Sequence, residues 1–237
     1  MTVDGPLSRL EFRDLVTADQ LAHLPPFEGR IWGGGGDRVS VNMLVATVGE
    51  GGVALGAFDS DEMVGAVYGF PTRDPHVLHS HYMAVDPRWR RNGLGVELKQ
   101  RQRRWCLDRG ITQMRWTYDP LQLGNAHLNL HVLGARGVAY HVDYYGHLGG
   151  INGALPSDRV MVSWDLRDAA TKPDPELAVD VPMATADDIA DSNDAAVHAR
   201  LTVRAELEPR MRLGWQLVDV DRHARRYLLA GPTTSRP

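Results

Sequence analysis

The stretch VDPRWRRNGLGVELKQ, residues 85–100, decides how the chain is read. An apolar run, HVLHSHYMAV (76–85), ends at Asp86-Pro87. Two arginines then precede Gly93 and Gly95, and an amphipathic segment follows at once. That is a strand, a sharp turn and a helix. A helix N-terminus presents N–H groups with no partner inside the helix and carries about half a positive charge. Anions collect there. Gly93 and Gly95 lack the Cβ atoms that would hold a phosphate away, and Arg90 and Arg91 add fork-shaped donors. The stretch therefore predicts a phosphate or pyrophosphate seat. It lacks the Lys-Ser or Lys-Thr of the nucleotide-triphosphate loop, and Leu98 stands where a dinucleotide-binding G-x-G-x-x-G needs glycine.

Outward from this stretch the order is mixed. RLEFRDL (9–15) alternates as a strand, and Thr17 is placed to cap a helix over ADQLAHL that Pro25 and Pro26 interrupt. GGGG (33–36) reads as a loop, SVNMLVATVGEG (40–51) as a helix with a glycine end, and GVALGAFDSDEMVGAVYGF (52–70) as a hairpin. Leu94, Leu98, Trp105 and Cys106 share a helical face that Gly110 closes. ITQMRWTY (111–118) is a strand ended by Asp119-Pro120, and GNAHLNLHVLGA (124–135) is a helix. GVAYHVDYY (137–145) and DRVMVSWDL (158–166) are two further strands. RDAATKPDPE has linker texture. The expected organisation is a main domain at 1–166, a linker at 167–177, and an annex of helix and hairpin at 178–237. The annex is too short for a strong core of its own and is expected to pack on the main domain or on a second copy, in a homodimer. The α and β elements do not alternate strictly, which excludes a Rossmann-type sheet.

Composition is that of a globular protein, 43% hydrophobic and 24% charged. With 26 Lys+Arg against 30 Asp+Glu the net charge is −4, which speaks against a general nucleic-acid binder. The basic run KQRQRR (99–104) reads as a solvated helix face. The lone Cys106 forms no internal disulfide, the first residues lack a signal-peptide layout, and no apolar run nears the roughly 18 residues of a membrane span. A cytoplasmic protein away from the membrane is expected. The ten histidines show no metal-ligand spacing, so no metal is expected.

Arg90-Arg91-Asn92-Gly93-Leu94-Gly95 resembles the [RQ]-x-x-G-x-[GA] signature of the GNAT acyl-CoA N-acyltransferase superfamily. MAVDPRWRRNGLG resembles that superfamily's passage from strand four into the following helix. Residues 52–70 look like its strand-two/strand-three hairpin, and NLHVLGA like the end of the helix after strand five; the likeness runs from 8 to about 166. It implies an α+β fold with a mostly antiparallel sheet splayed between strands four and five and flanked by helices. It also implies acetyl-CoA or another acyl-CoA as cosubstrate. The pyrophosphate would lie on the N–H groups of Arg91, Asn92, Gly93, Leu94 and Gly95, beside Arg90. The pantetheine arm would pair with the backbone from Met83 to Val85, and the N–H near Val85 would polarise the thioester carbonyl.

The acceptor amine must be neutral to attack, and the leaving thiolate needs a proton. The superfamily often supplies that proton from a tyrosine, at the position that is Leu130 here. Tyr144 and Tyr145 are replacement candidates, His81 (with His79) and Asp119 candidate bases, and Asn125 a candidate CoA contact. Each has a structural alternative: a strand histidine, a turn former before proline, half-buried sheet tyrosines, a helix cap. Arg159 would meet a substrate carboxylate or pair with Asp158. The leading function is transfer of an acyl group, acetyl or a larger one such as succinyl, to the amine of a small molecule or amino acid. A non-catalytic CoA-binding module is the alternative, and a nucleic-acid or protein-tail binder built on the basic helix the third.

Overall fold

The computed structural model describes residues 5–33, 38–146, 156–167, 173–182 and 194–232. The glycine run apart from Gly33, most of the 146–157 loop, residues 168–172 of the expected linker and residues 183–193 lie outside these residues. The chain divides into two compact units, Met1–Met114 and Arg115–Pro237.

In the first unit, strands β1 (Glu11–Asp14), β2 (Val53–Asp59), β3 (Glu62–Pro71) and β4 (Val77–Val85) follow one another as antiparallel neighbours. Thr17 caps α1 (Ala18–Leu21) in a reciprocal box with Gln20. Pro25 and Pro26 do not interrupt a helix as expected. They sit in the first turn of a second one, α2 (Leu24–Trp32), where a missing N–H costs nothing. Ser40 caps α3 (Val41–Gly49). One face of the sheet buries Leu15, Leu21, Phe27, Leu44, Phe58 and Tyr68 in a single apolar cluster. Against the other face lies α4 (Leu94–Leu107), whose Leu94 and Leu98 side chains come up against Gly65 of β3.

In the second unit the strand order is β5-β7-β6-β9-β10-β8. The strands are β5 (Gln113–Tyr118), β6 (Arg136–His141), β7 (Arg159–Asp165), β8 (Leu177–Asp180), β9 (Gln216–Asp221) and β10 (Arg226–Ala230). Between β5 and β6, helix α5 (Leu123–Ala126) widens into a π-helical stretch over His127–Val132. The strand expected at 137–145 stops at His141, because Asp143 turns the chain at a φ of +48°. The helix of the tail is α6 (Asp194–Arg212), and the expected closing hairpin is β9–β10. β9 joins β6 where Gly137 faces Leu217; a Cβ on Gly137 would come within 2.9 Å of the leucine Cβ, so only glycine admits the approach. The strand β8, which pairs with β10 and begins where the expected linker ends, was not among the expected elements.

The fold is thus a mixed α+β arrangement of mostly antiparallel strands flanked by helices. No helix among the described residues is long and apolar enough to cross a membrane.

Candidate active site

The predicted phosphate seat is built by three successive devices. Asp86 ends β4 and accepts from the Arg88 N–H (2.9 Å) and from its Nε and Nη2 (3.0 and 2.9 Å). Glu62 takes the same guanidinium at 2.5 Å. This fixes a short 3₁₀ turn, Pro87–Trp89, with Trp89 buried beneath the Arg9 guanidinium. Arg91 and Gly93 then adopt φ values of +64° and +85°. These two left-handed residues turn the chain into α4, whose first internal bond is Glu97 N–H to Gly93 O at 3.0 Å. The N–H groups of Leu94, Gly95 and Val96 precede that bond and point out of the helix end.

The two glycines also have different reasons within the protein itself. A Cβ on Gly93 would meet only Leu7, at 3.9 Å; its need is conformational. A Cβ on Gly95 would lie 3.2 Å from Met83 Cε, so that glycine brings the helix end close to β4. Leu94 is buried in the core and can offer a ligand only its backbone. Arg90, Arg91 and Asn92 are exposed, and Arg90 Nε donates to the Val85 carbonyl at 3.2 Å.

The register of β4 sets the adjoining wall. Asp86 N–H donates to Val64 O. Antiparallel alternation then turns the N–H and C=O groups of Val85 and Met83 away from β3. Between Tyr82, opposite Tyr68, and Ser80, opposite Gly69, the register slips by one residue. His81 is that extra residue, a β-bulge, and bulges re-aim side chains beside sites. It reaches solvent with its ring among those of Tyr68, Phe70, His79 and Tyr82, 5.6–6.2 Å away. Burial lowers the His81 pKa, and it lowers that of His79, stacked on Phe70, to about 4.

Two buried polar groups of this unit escape the sequence reading. On the α4 side, Lys99 Nζ donates to Ser80 Oγ (2.7 Å) and to Gln102 Oε1 (3.3 Å); burial brings its pKa down to about 7. Gln102 continues the Leu94–Leu98–Cys106 face at four-residue spacing, a signal that was available. On the α2 side, Glu28 is 4% exposed, with Oε1 unpartnered and its pKa raised by burial. Beside it the Tyr82 hydroxyl, also buried and unpartnered, is pushed up by burial and by that carboxylate.

The remaining candidates lie in the second unit. Asp119 is 5% exposed, and Arg200 of α6 holds both of its oxygens, at 2.6 and 2.7 Å. Oδ1 also accepts the Leu121 N–H at 2.9 Å. Asp119 is thus buried at a turn and paired with Arg200 through both oxygens. Tyr145 is 40% exposed and shares a 3.1 Å hydrogen bond with Thr117. Tyr144, also exposed, lies tilted against His141 and edge-to-face with Tyr145. Asn125 lies within α5 and donates to Gln122, the residue that caps it, at 2.8 Å. Leu130 is fully buried. No group of three or more His, Cys, Asp or Glu is set to hold a metal ion among the described residues.

Residues 28–132 match the sequence model of the Acetyltransferase (GNAT) family. No curated protein matches the chain. Solved structures share the fold at low identity. The ribosomal-protein-S18-alanine N-acetyltransferase from Escherichia coli is 17% identical over 69% of this chain and 98% of its own, with a TM-score of 0.55. The ribosomal-protein-S5-alanine acetyltransferase from Vibrio fischeri is 15% identical over 69% and 96%, TM-score 0.55. The aminoglycoside 6′-acetyltransferase type Ii is 16% identical over 68% and 99%, TM-score 0.51. Residues 28–132 are thus similar in sequence to the GNAT acetyltransferase family, and the chain shares its fold with these acetyltransferase structures.

Proposed function

We propose that the chain is an acyl-CoA-dependent N-acyltransferase that acts on the amine of a small molecule or amino acid. The observation that carries this reading is the left-handed turn from Arg91 to Gly93, which delivers three successive N–H groups at the start of a 14-residue helix. A pyrophosphate fits that end electrostatically, with Arg90, Arg91 and Asn92 exposed around it. The backbone groups of Met83 and Val85 turned away from β3 suit pairing with a pantetheine arm, and the Val85 N–H suits a developing oxyanion.

His81 is the favoured base. Its lowered pKa keeps the imidazole neutral near pH 7, with a lone pair available for an ammonium proton. Tyr145 is the favoured thiolate acid, since its residue is exposed and its hydroxyl is held by Thr117. Asp119 is withdrawn from the base role by its Arg200 pair.

The test is release of free CoA thiol from acetyl-CoA by the whole chain across a panel of amino acids and polyamines. Turnover with one class, and its slowing by about 10²-fold or more in His81→Ala with acetyl-CoA affinity retained, is expected. Acetyl-CoA binding with no turnover on any amine would favour a non-catalytic CoA-binding module.

A further inference from the structure

Three arginines and two aspartates share a buried cluster in the second unit. Arg200 takes Asp119 at both oxygens. Arg204 takes Asp158 at both, through Nε (2.8 Å) and Nη2 (2.7 Å). The Tyr140 hydroxyl and the Asp143 N–H complete the shell of Asp158 at 2.7 and 3.0 Å. Asp143 itself lies on the exposed turn and accepts from the Ser157 N–H and Oγ.

Arg159, the first residue of β7, is the third arginine. It is 9% exposed, and among the described residues it forms no ion pair. Its Nη1 donates to the Asp158 backbone carbonyl at 2.8 Å, and its guanidinium lies 5.4 Å from the Tyr145 ring centre. The charges that act on it are those of Asp119, Arg200 and Asp158, with Tyr145 beside them. Both aspartates already answer another arginine, so one positive charge in the cluster is left over. A buried lysine can escape this situation by losing its proton; a guanidinium keeps its charge at any physiological pH. A buried charge without a counter-ion is among the costliest features a protein can retain. Tyr145, the aromatic neighbour of Arg159, is itself open to solvent.

We infer that Arg159 binds a carboxylate carried by one of the two substrates of acyl transfer. The planar fork of its remaining N–H groups matches a carboxylate. The inference rests on the acyltransferase reading for the identity of the carrier. That carrier is either an acceptor of amino-acid type or the distal carboxylate of a dicarboxylic acyl chain.

Thermal melting of the full chain tests it with two matched pairs of probes. N-acetylglycine is set against its neutral relative N-acetylglycinamide, and succinyl-CoA against acetyl-CoA. In the wild type the carboxylate-bearing member of one pair should raise Tm by roughly 4 °C more than its neutral partner at about ten times its Kd. The excess should vanish in Arg159→Met, a variant expected to melt no lower than the wild type because it removes an unpaired buried charge. An excess in the first pair assigns the carboxylate to the acceptor, and in the second to the acyl chain. Equal shifts within both pairs, or an excess that survives the substitution, would overturn the inference. If Arg159→Met does not fold, Arg159→Gln is read by the same criteria. No shift with either acyl-CoA refutes the acyltransferase reading instead, and the N-acetylglycine pair then reports on Arg159 alone.

Discussion

Lys99 in the first unit and Arg200 in the second are both buried cations, and they are accommodated in opposite ways. Lys99 rests on two neutral acceptors, Ser80 and Gln102, and gives up its proton near pH 7. Arg200 cannot give up a proton, and its charge is matched oxygen for oxygen by Asp119. One region solves burial by titration and the other by pairing. The first solution depends on pH and is built from neighbours on β4 and α4. The second is insensitive to pH near neutrality and joins residues 81 positions apart in sequence.

The strongest way to break the contrast is Asp119→Ala. It leaves Arg200 charged, buried and alone, and should cost about 3–5 kcal/mol in urea unfolding. Replacing both partners, as in Asp119→Ala with Arg200→Met, should recover most of that loss. If the single substitution costs under about 1 kcal/mol, the pair is not the anchor described.

Lys99→Met sharpens the other side. The folded state releases the Lys99 proton near pH 7, whereas an unfolded lysine holds its own to about 10.5. Between those values the unfolded chain binds more protons, so wild-type stability should rise with pH. Lys99→Met should be more stable than the wild type at pH 6, by on the order of 2–3 kcal/mol, and the advantage should shrink towards pH 10. A difference that does not change with pH would mean that Lys99 stays charged in the fold.

Gly93→Ala is the mildest. At a φ of +85° the added Cβ meets little but strains the backbone, at about 1–2 kcal/mol. Acetyl-CoA affinity should fall alongside, measured by calorimetry; an unchanged Kd would detach the turn from the phosphate.

The same contrast explains what the sequence could disclose. The first unit is built from neighbours in sequence: a capping box, a hairpin, a strand-turn-helix with two glycines. Such features follow from local rules, and the turn at Arg91–Gly93 could be located from residues alone. Even so, the closeness of Gly95 to Met83 could not be read there, because it depends on packing. His81 could be nominated, but the bulge that displays it depends on register with β3. The second unit withheld more. Asp119 before proline looked like a turn former or a base, and its partner stood far off in a tail of unremarkable helical texture. β8 is only four residues long and follows directly on a stretch whose prolines and charges resemble a linker. Pairings of that range leave no periodicity to read.

The reach of the Asp119–Arg200 pair also bears on how the chain is made. On the ribosome, Asp119 emerges well ahead of the residue that neutralises it, and β6 waits just as long for β9. The second unit must therefore remain incomplete until α6 and β9 have been made. A polypeptide cut short near residue 166, where the sequence invites a boundary, would present an unanswered aspartate and a bare sheet edge to the protein-quality machinery of its host.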